Sequence, residues 1–420
     1  MTSAHDRAGG EAGGSIGVAA WRIPAVIIAG CLITVVAFGT RAAMGLFLEP
    51  MTAFHGWSRA DFAFALAVQN LLWGLFQPLA GAVADRHGTG RVLAAGLVLY
   101  AVGMAAMAWA PDPLWLVLTA GLLVGLAQAL AAFTIVLAAF ARLLPESRRS
   151  WAFGMGTAAG SLGQFLIVPL GQAFIASFGW HDALVLLALC LLAVLPLTRL
   201  LRATGPAAEN AATVTNPLPW RDVLAGAFAH RSYVLLVVGF FVCGFHVAFV
   251  AVHLPAYLTD LGFAPGLGAM AVALIGLFNV VGAYSAGVLG AAYSKKNLLA
   301  VIYLGRAVVI LAFLLFPVSI WTVWVFAALM GLLWLSTVPP TSGLVVAMFG
   351  VRDMAMLFGI VFSSHQVGAF VGVWLGVWLY DTYGTYDVVW WLGVVLGLAA
   401  AVVHWPIREQ PAPTPMPRAA

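Results

Sequence analysis

Along this chain, long apolar runs alternate with short polar breaks. About twelve runs recur, each of roughly 20 residues or more, enough for a helix to cross ~30 Å of hydrocarbon. The pattern places them near 22–52, 61–83, 91–110, 114–142, 151–178 and 182–202, then near 232–257, 267–291, 297–316, 320–347, 354–380 and 386–405. Lipid cannot satisfy exposed backbone groups, so runs of this kind cross as helices. The expected fold class is an all-α membrane protein with twelve transmembrane helices.

Composition agrees. Hydrophobic residues make up 63% of the chain, and Asp, Glu, Lys and Arg together only 8%. A soluble core of this size would need a larger charged shell. The chain is basic, but its Arg and Lys residues are scattered among loops, so no nucleic-acid partner is expected. Cys31, Cys190 and Cys243 all fall inside apolar runs and read as small core residues, with no disulfide and no metal site. The first run, Trp21 to Leu48, is too long for a signal peptide and is expected to remain as the first span. Residues 1–20 read as a disordered tail, 203–231 as a linker rich in Gly, Pro and Asn, and 406–420 as a second tail.

The charges orient the bundle. With a cytoplasmic N-terminus, Arg59 is the one basic residue in an outer loop, and Arg41 and Arg306 are the two inside spans. The rest of the 19 Lys and Arg residues face the cytoplasm. The expectation is a multi-pass protein of the cytoplasmic (inner) membrane with both termini cytoplasmic.

The chain also repeats. A shift of 205 places Gly39 on Gly244, Pro50 on Pro255, Phe153-Gly154 on Phe358-Gly359, Gly163 on Gly368, Gly179 on Gly384 and Asp182 on Asp387. A nearly constant offset over several helix pairs implies two six-helix halves, 21–202 and 232–405, related by a pseudo-two-fold axis along the membrane normal.

After the second run the sequence reads Gly81-Ala-Val-Ala-Asp85-Arg86-His-Gly88-Thr-Gly90-Arg91. This resembles the G-x-x-x-D-R-x-G-x-x-R motif of the major facilitator superfamily, a resemblance that covers the whole chain. It implies alternating-access transport, and assigns gating to Gly81, Asp85, Arg86, Gly88 and Arg91. The second-half equivalent, Gly287 to Lys296, lacks the Asp-Arg pair. The segments Gly45-Leu-Phe-Leu-Glu49-Pro50 and Phe54-His-Gly56-Trp57-Ser58-Arg59 are similar to the monocarboxylate-transporter-like and oxalate/formate-antiporter-like branch. That branch implies small organic anions as cargo. Animal monocarboxylate transporters carry an Asp and an Arg in the eighth helix; here those positions hold Asn279 and Ala283.

Arg41 is the sharpest candidate for chemistry. It lies inside the first span, where an Arg costs roughly 2.5–3.5 kcal/mol on insertion scales. Its fork suits bidentate carboxylate recognition. Pairing with Glu49, or with helix carbonyls as a structural gate, is the alternative. The 205 shift places His246 at the matching position, and helices one and seven line the cavity in the family this chain resembles. Arg41 and His246 are therefore expected to face each other across the axis, His246 as ligand, proton relay or packed neutral histidine. Arg306, in helix nine, is read as structural. Asn70, Gln128, Gln164, Asn279, Thr341, His365 and Gln366 complete the substrate-binding candidates.

No carboxylate lies near the middle of any span, so two buried cations would receive their negative charge from cargo. The expected function is a secondary transporter of a small organic carboxylate. Any coupled proton would be carried by His246, His365 or the cargo itself. An exporter of amphipathic or drug-like compounds is the alternative, and a membrane sensor a distant third. The chain carries no nucleotide loop, metal cluster or nucleophile pattern and is not expected to be an enzyme or to hold a cofactor. It is expected to work as a monomer in the bilayer.

Overall fold

The computed structural model describes residues 10–202 and 219–412. The tail positions 1–9 and 413–420 and the linker positions 203–218 lie outside the described residues.

Eleven helical stretches are long and apolar enough to cross a membrane, and one of them holds two crossings. That stretch, Glu146–Leu201, turns at Gly179, whose φ of 80° breaks the helical path at a residue that tolerates left-handed backbone. The twelve crossings are α1 (Gly10–Ala43, extended by turns to His55), α2 (Arg59–His87), α3 (Thr89–Ala108), α4 (Pro113–Leu143), α5 (146–178), α6 (180–201), α7 (Arg231–Asp260), α8 (Pro265–Ala292), α9 (Lys295–Leu315), α10 (Ile320–Phe349), α11 (Met354–Tyr383) and α12 (Asp387–His404). Large apolar side chains on many of them remain exposed, among them Leu71, Phe165, Phe370 and Val402, forming the surface that meets hydrocarbon.

Two boundaries differ from the sequence reading. Helical backbone begins at Gly10, inside the segment read as a disordered tail, and continues through Pro24. The expected linker contains a helix, Trp220–Ala229, which places Trp220, Leu224 and Phe228 along one side. The last described residues are also anchored: Glu409 accepts hydrogen bonds from the Ser294 hydroxyl (2.6 Å) and the Lys296 N–H (2.8 Å).

The repeat is realised as the same crossing made twice. In the first half α1 packs on α5 through Gly39 and Gly163; a Cβ on Gly39 would lie 2.5 Å from the Gly163 carbonyl oxygen. In the second half α7 packs on α11 through Gly244 and Gly368, whose absent side chains let the Gly244 backbone approach the His365 carbonyl and that of Gly368 approach the Phe241 carbonyl. Small residues allow such approach in lipid, where packing rather than water exclusion drives helix association.

The halves meet through α2 with α11 and α5 with α8. Gly154 and Gly287 touch across that second seam, where a Cβ on Gly154 would come within 2.8 Å of Gly287 Cα. Among the described residues, the hydrogen bonds between halves run from mid-bundle to the end that carries Asp85. Ser363 donates to Gly74 O (2.7 Å), Asn279 to Ser161 Oγ (2.5 Å) and Ser150 to Gly287 O (2.8 Å). The structure is therefore closed at the Asp85 end.

Replacing Gly163 or Gly368 by Val should prise the α1–α5 or α7–α11 crossing apart. Overpacking of this kind costs about 1–3 kcal/mol or more. Both variants are expected to melt several degrees below wild type in detergent, and to do so equally, which thermal unfolding of the purified protein checks.

Candidate substrate site

Arg41 sits in the last turn of α1's regular segment, half-buried against α2. Its Nη2 donates to Asn70 Oδ1 at 2.7 Å, and Asn70 is fixed in turn by donating its Nδ2–H to Leu66 O (2.8 Å). The guanidinium lies 4.5 Å from the Trp73 ring centre and 5.8 Å from that of Phe38, within cation–π range. Its Nε is buried and unpartnered. Glu49, the alternative partner expected from sequence, instead pairs with Arg59 at 3.8 Å on the exposed surface.

Around Arg41 the first half closes a small chamber lined by Thr34, Phe38, Trp73, Tyr100, Gln128 and Phe133. Gln128 Nε2 donates to the Tyr100 hydroxyl (3.2 Å), leaving Gln128 Oε1 buried without a partner. The space is about 20 Å³, room for one water and no cargo. The other half backs its wall from outside: Phe362 of α11 packs on Trp73 (5.0 Å between ring centres) and edge-on to Phe133 (5.5 Å). Separation of the halves would therefore remove the support behind two of the lining rings.

A break in α4 frames this chamber. Leu130 ends one helical segment and Phe133 begins the next. Gln77 spans the gap, donating to Thr134 Oγ1 (2.8 Å) and to Ala129 O (3.4 Å) while accepting from Trp73 Nε1 (3.1 Å). In the second half α10 breaks at the place that matches under the 205 shift, between Leu333 and Val338. Here Arg306 supplies the cap. Its Nε and Nη2 donate to Leu333 O (2.9 and 2.8 Å) and Nη2 also to Trp334 O, at the carbonyl end of a half-helix, where a cation is favoured. Asn279 caps the other side by accepting from the Leu335 N–H at 2.9 Å.

The expected encounter of Arg41 with His246 does not occur. His246 is buried on α7 and turned to α12, where its Nε2–H donates to Gly393 O at 2.8 Å. The glycines at 393 and 397 of α12 leave the flat space that the imidazole fills, and so draw it away from the axis. The remaining candidates scatter. Asn70 and Gln128 join Arg41. Asn279 bridges the halves through Ser161. Thr341 is buried with its hydroxyl unpartnered. His365 donates from Nδ1 to Gln366 Oε1 (3.2 Å) and stacks on Phe362 (5.4 Å), while Gln366 packs on Gly74. Gln164 is half-buried on α5. Arg306, read from sequence as structural, is fully buried and serves the α10 break. Sequence reasoning passed over Tyr100, a lone hydroxyl in the apolar run of α3; its one signal is that a buried Tyr needs a partner.

At the closed end Asp85 accepts from Arg142 Nη2 and from the N–H groups of Ala355 (3.2 Å) and Met356 (2.8 Å) at the start of α11. Arg142 also donates to Val351 O (3.2 Å) and Arg352 O (2.7 Å), crossing to the same loop. A Cβ on Gly81 would strike the Ala355 backbone, Gly88 has φ 93°, and Arg86 and Arg91 are exposed.

Two six-helix halves in close contact at one end, the first of them holding a cation-bearing chamber, define the architecture of a secondary transporter. A model of the Major Facilitator Superfamily matches residues 30–345 and 286–419, and the chain belongs to that superfamily. It is a transporter, not an enzyme. An uncharacterised transporter of this type, YcxA of Bacillus subtilis, is 25% identical over 88% of this chain and 91% of its own length. Monocarboxylate transporter 13 of Rattus norvegicus is 25% identical over 86% of this chain and 83% of its own. Among solved structures the proton:xylose symporter XylE superposes with a TM-score of 0.72 at 16% identity, covering 94% of this chain and 98% of that one. That likeness speaks for the fold.

Arg306→Gln should leave the α10 break partly uncapped. An unsatisfied buried group costs about 1–3 kcal/mol. The variant is expected to melt several degrees lower, with Arg306→Lys failing to rescue because one ammonium cannot span two carbonyls as the fork does; thermal unfolding of all three proteins checks this.

Proposed function

We propose that this chain moves a small organic carboxylate across the cytoplasmic membrane by alternating access. The carrying observation is Arg41: a guanidinium held by Asn70 and the Trp73 face, with Nε unpartnered and no carboxylate beside it. Charge left without a carboxylate among the described residues, in a chamber beside the seam of the two halves, is a site that cargo can complete. Arg41 would take the carboxylate, with Tyr100 and Gln128 as neutral polar neighbours. The kinship with a monocarboxylate transporter supports the anion reading.

In this proposal the Asp85 end faces the cytoplasm, because the basic loops gather there, and the closed structure is the outward-facing side of the cycle. The Asp85–Arg142 contact with the start of α11 would then be the latch that inward opening must break. The protein acts as a monomer, the first half lining the chamber and the second backing it through Phe362. If a proton is coupled, the packed His246 is a poorer carrier than His365, which lies against Phe362 at the chamber wall.

One observation favours a second reading. Phe38, Trp73 and Phe133 line the chamber and Phe362 backs two of them, aromatic surroundings that suit amphipathic cargo. Uptake of radiolabelled short carboxylates into proteoliposomes decides between them. Arg41→Ala should lower uptake at least tenfold and Arg41→Lys several-fold, since the charge survives but the fork does not. Unchanged uptake in Arg41→Ala would remove Arg41 as the carboxylate site, and no uptake of any short carboxylate by wild type would favour the amphipathic reading.

A further inference from the structure

Where the linker helix passes beneath the bundle, a groove of about 420 Å³ opens at the Asp85 end. Its walls come from three places: Pro78, Leu79 and Val83 of α2, Met356 and Ile360 of α11, and Trp220, Leu224 and Phe228 of the linker helix. The groove is apolar except at its rim, where Arg86 and His87 stand exposed at the end of α2. His87 is turned back by an Nδ1–H bond to Val83 O (3.2 Å), and Arg86 makes no salt bridge among the described residues.

We infer that this groove seats one anionic phospholipid, an acyl chain between α2, α11 and the linker helix and its phosphate at Arg86 and His87. The surroundings select this occupant. Leu79 and Val83 are exposed on a membrane-spanning helix, so hydrocarbon is the medium that meets them. The groove lies where α2 leaves the bilayer, so its basic rim sits at headgroup depth. Arg and Lys near that surface attract anionic lipid by about 1 kcal/mol each. Trp220, with Arg221 over its ring at 5.4 Å, belongs at the same interface.

A second groove, between α3 and α6, is lined by Val98, Val102, Leu195, Arg199 and Arg202 and resembles the first in chemistry. It lies within one half. The α2–α11 groove is built from both halves and the linker, so it exists only while this end is closed. Lipid bound there would favour the closed arrangement, whereas lipid in the α3–α6 groove would be indifferent to it.

The test is native mass spectrometry of the full chain, exchanged from nanodiscs of phosphatidylglycerol or phosphatidylcholine. Wild type should retain phosphatidylglycerol over phosphatidylcholine. Arg86→Gln should weaken retention about fivefold, and His87→Gln, which removes a hydrogen-bond donor rather than a fixed charge, less. Leu224→Trp, on the linker helix where folding of the bundle is spared, should fill the groove and displace the lipid. The paired Arg199→Gln and Arg202→Gln variant should leave this lipid in place. Equal retention of the two lipids, or retention unchanged in Leu224→Trp, would overturn the inference. The second outcome would also be expected if residues 203–218 fill the groove instead.

Discussion

Inside a bilayer no water stands ready to satisfy a backbone group, so any helix that breaks at membrane depth must be capped by protein. This constraint organises the two halves. Each contains a helix broken at a matching position, in α4 and α10, and each break is answered by long polar side chains from neighbours. Gln77 reaches the α4 break from α2; Arg306 and Asn279 reach the α10 break from α9 and α8. The caps tie the breaks to the seam. Gln77 also holds Trp73, which walls the Arg41 chamber, and Asn279 also reaches Ser161 in the other half.

The same logic separates the two buried cations. A guanidinium has five donors, and their fate decides what it can do. Arg306 directs Nε and Nη2 at carbonyls at the C-terminal end of a half-helix, with Nη1 unpartnered, so the backbone answers most of its donors and it works as structure. Arg41 meets one amide oxygen and two aromatic faces, which compensate it less fully. One half thus spends its cation on its own broken helix. The other presents its cation at the chamber.

Closure at the Asp85 end is likewise a matter of small residues and one buried charge. Gly81, Gly154 and Gly287 let backbones of opposite halves touch, and the Asp85 carboxylate joins Arg142 to the first N–H groups of α11. Contacts of this kind are good only in one relative placement of the halves. They are an arrangement that can be exchanged for another, as alternating access requires.

Hydrophobic periodicity and length determined the twelve crossings, because the bilayer imposes both directly on sequence. The 205-residue shift determined the two-fold repeat; that Gly39 and Gly244 make matching crossings was decided by packing. Arg41 was legible as unusual because an ionisable group in a span is expensive wherever it points. Direction was not legible. Whether His246 looks to the axis or to α12 depends on the space beside Gly393 and Gly397, 147 residues or more away in the chain. Whether Arg306 is a site or a cap depends on where α10 breaks. Tyr100 joined the chamber only because α3 and α4 bring it to Gln128. Sequence states which groups lipid will not tolerate alone; tertiary packing decides which partner each of them finds.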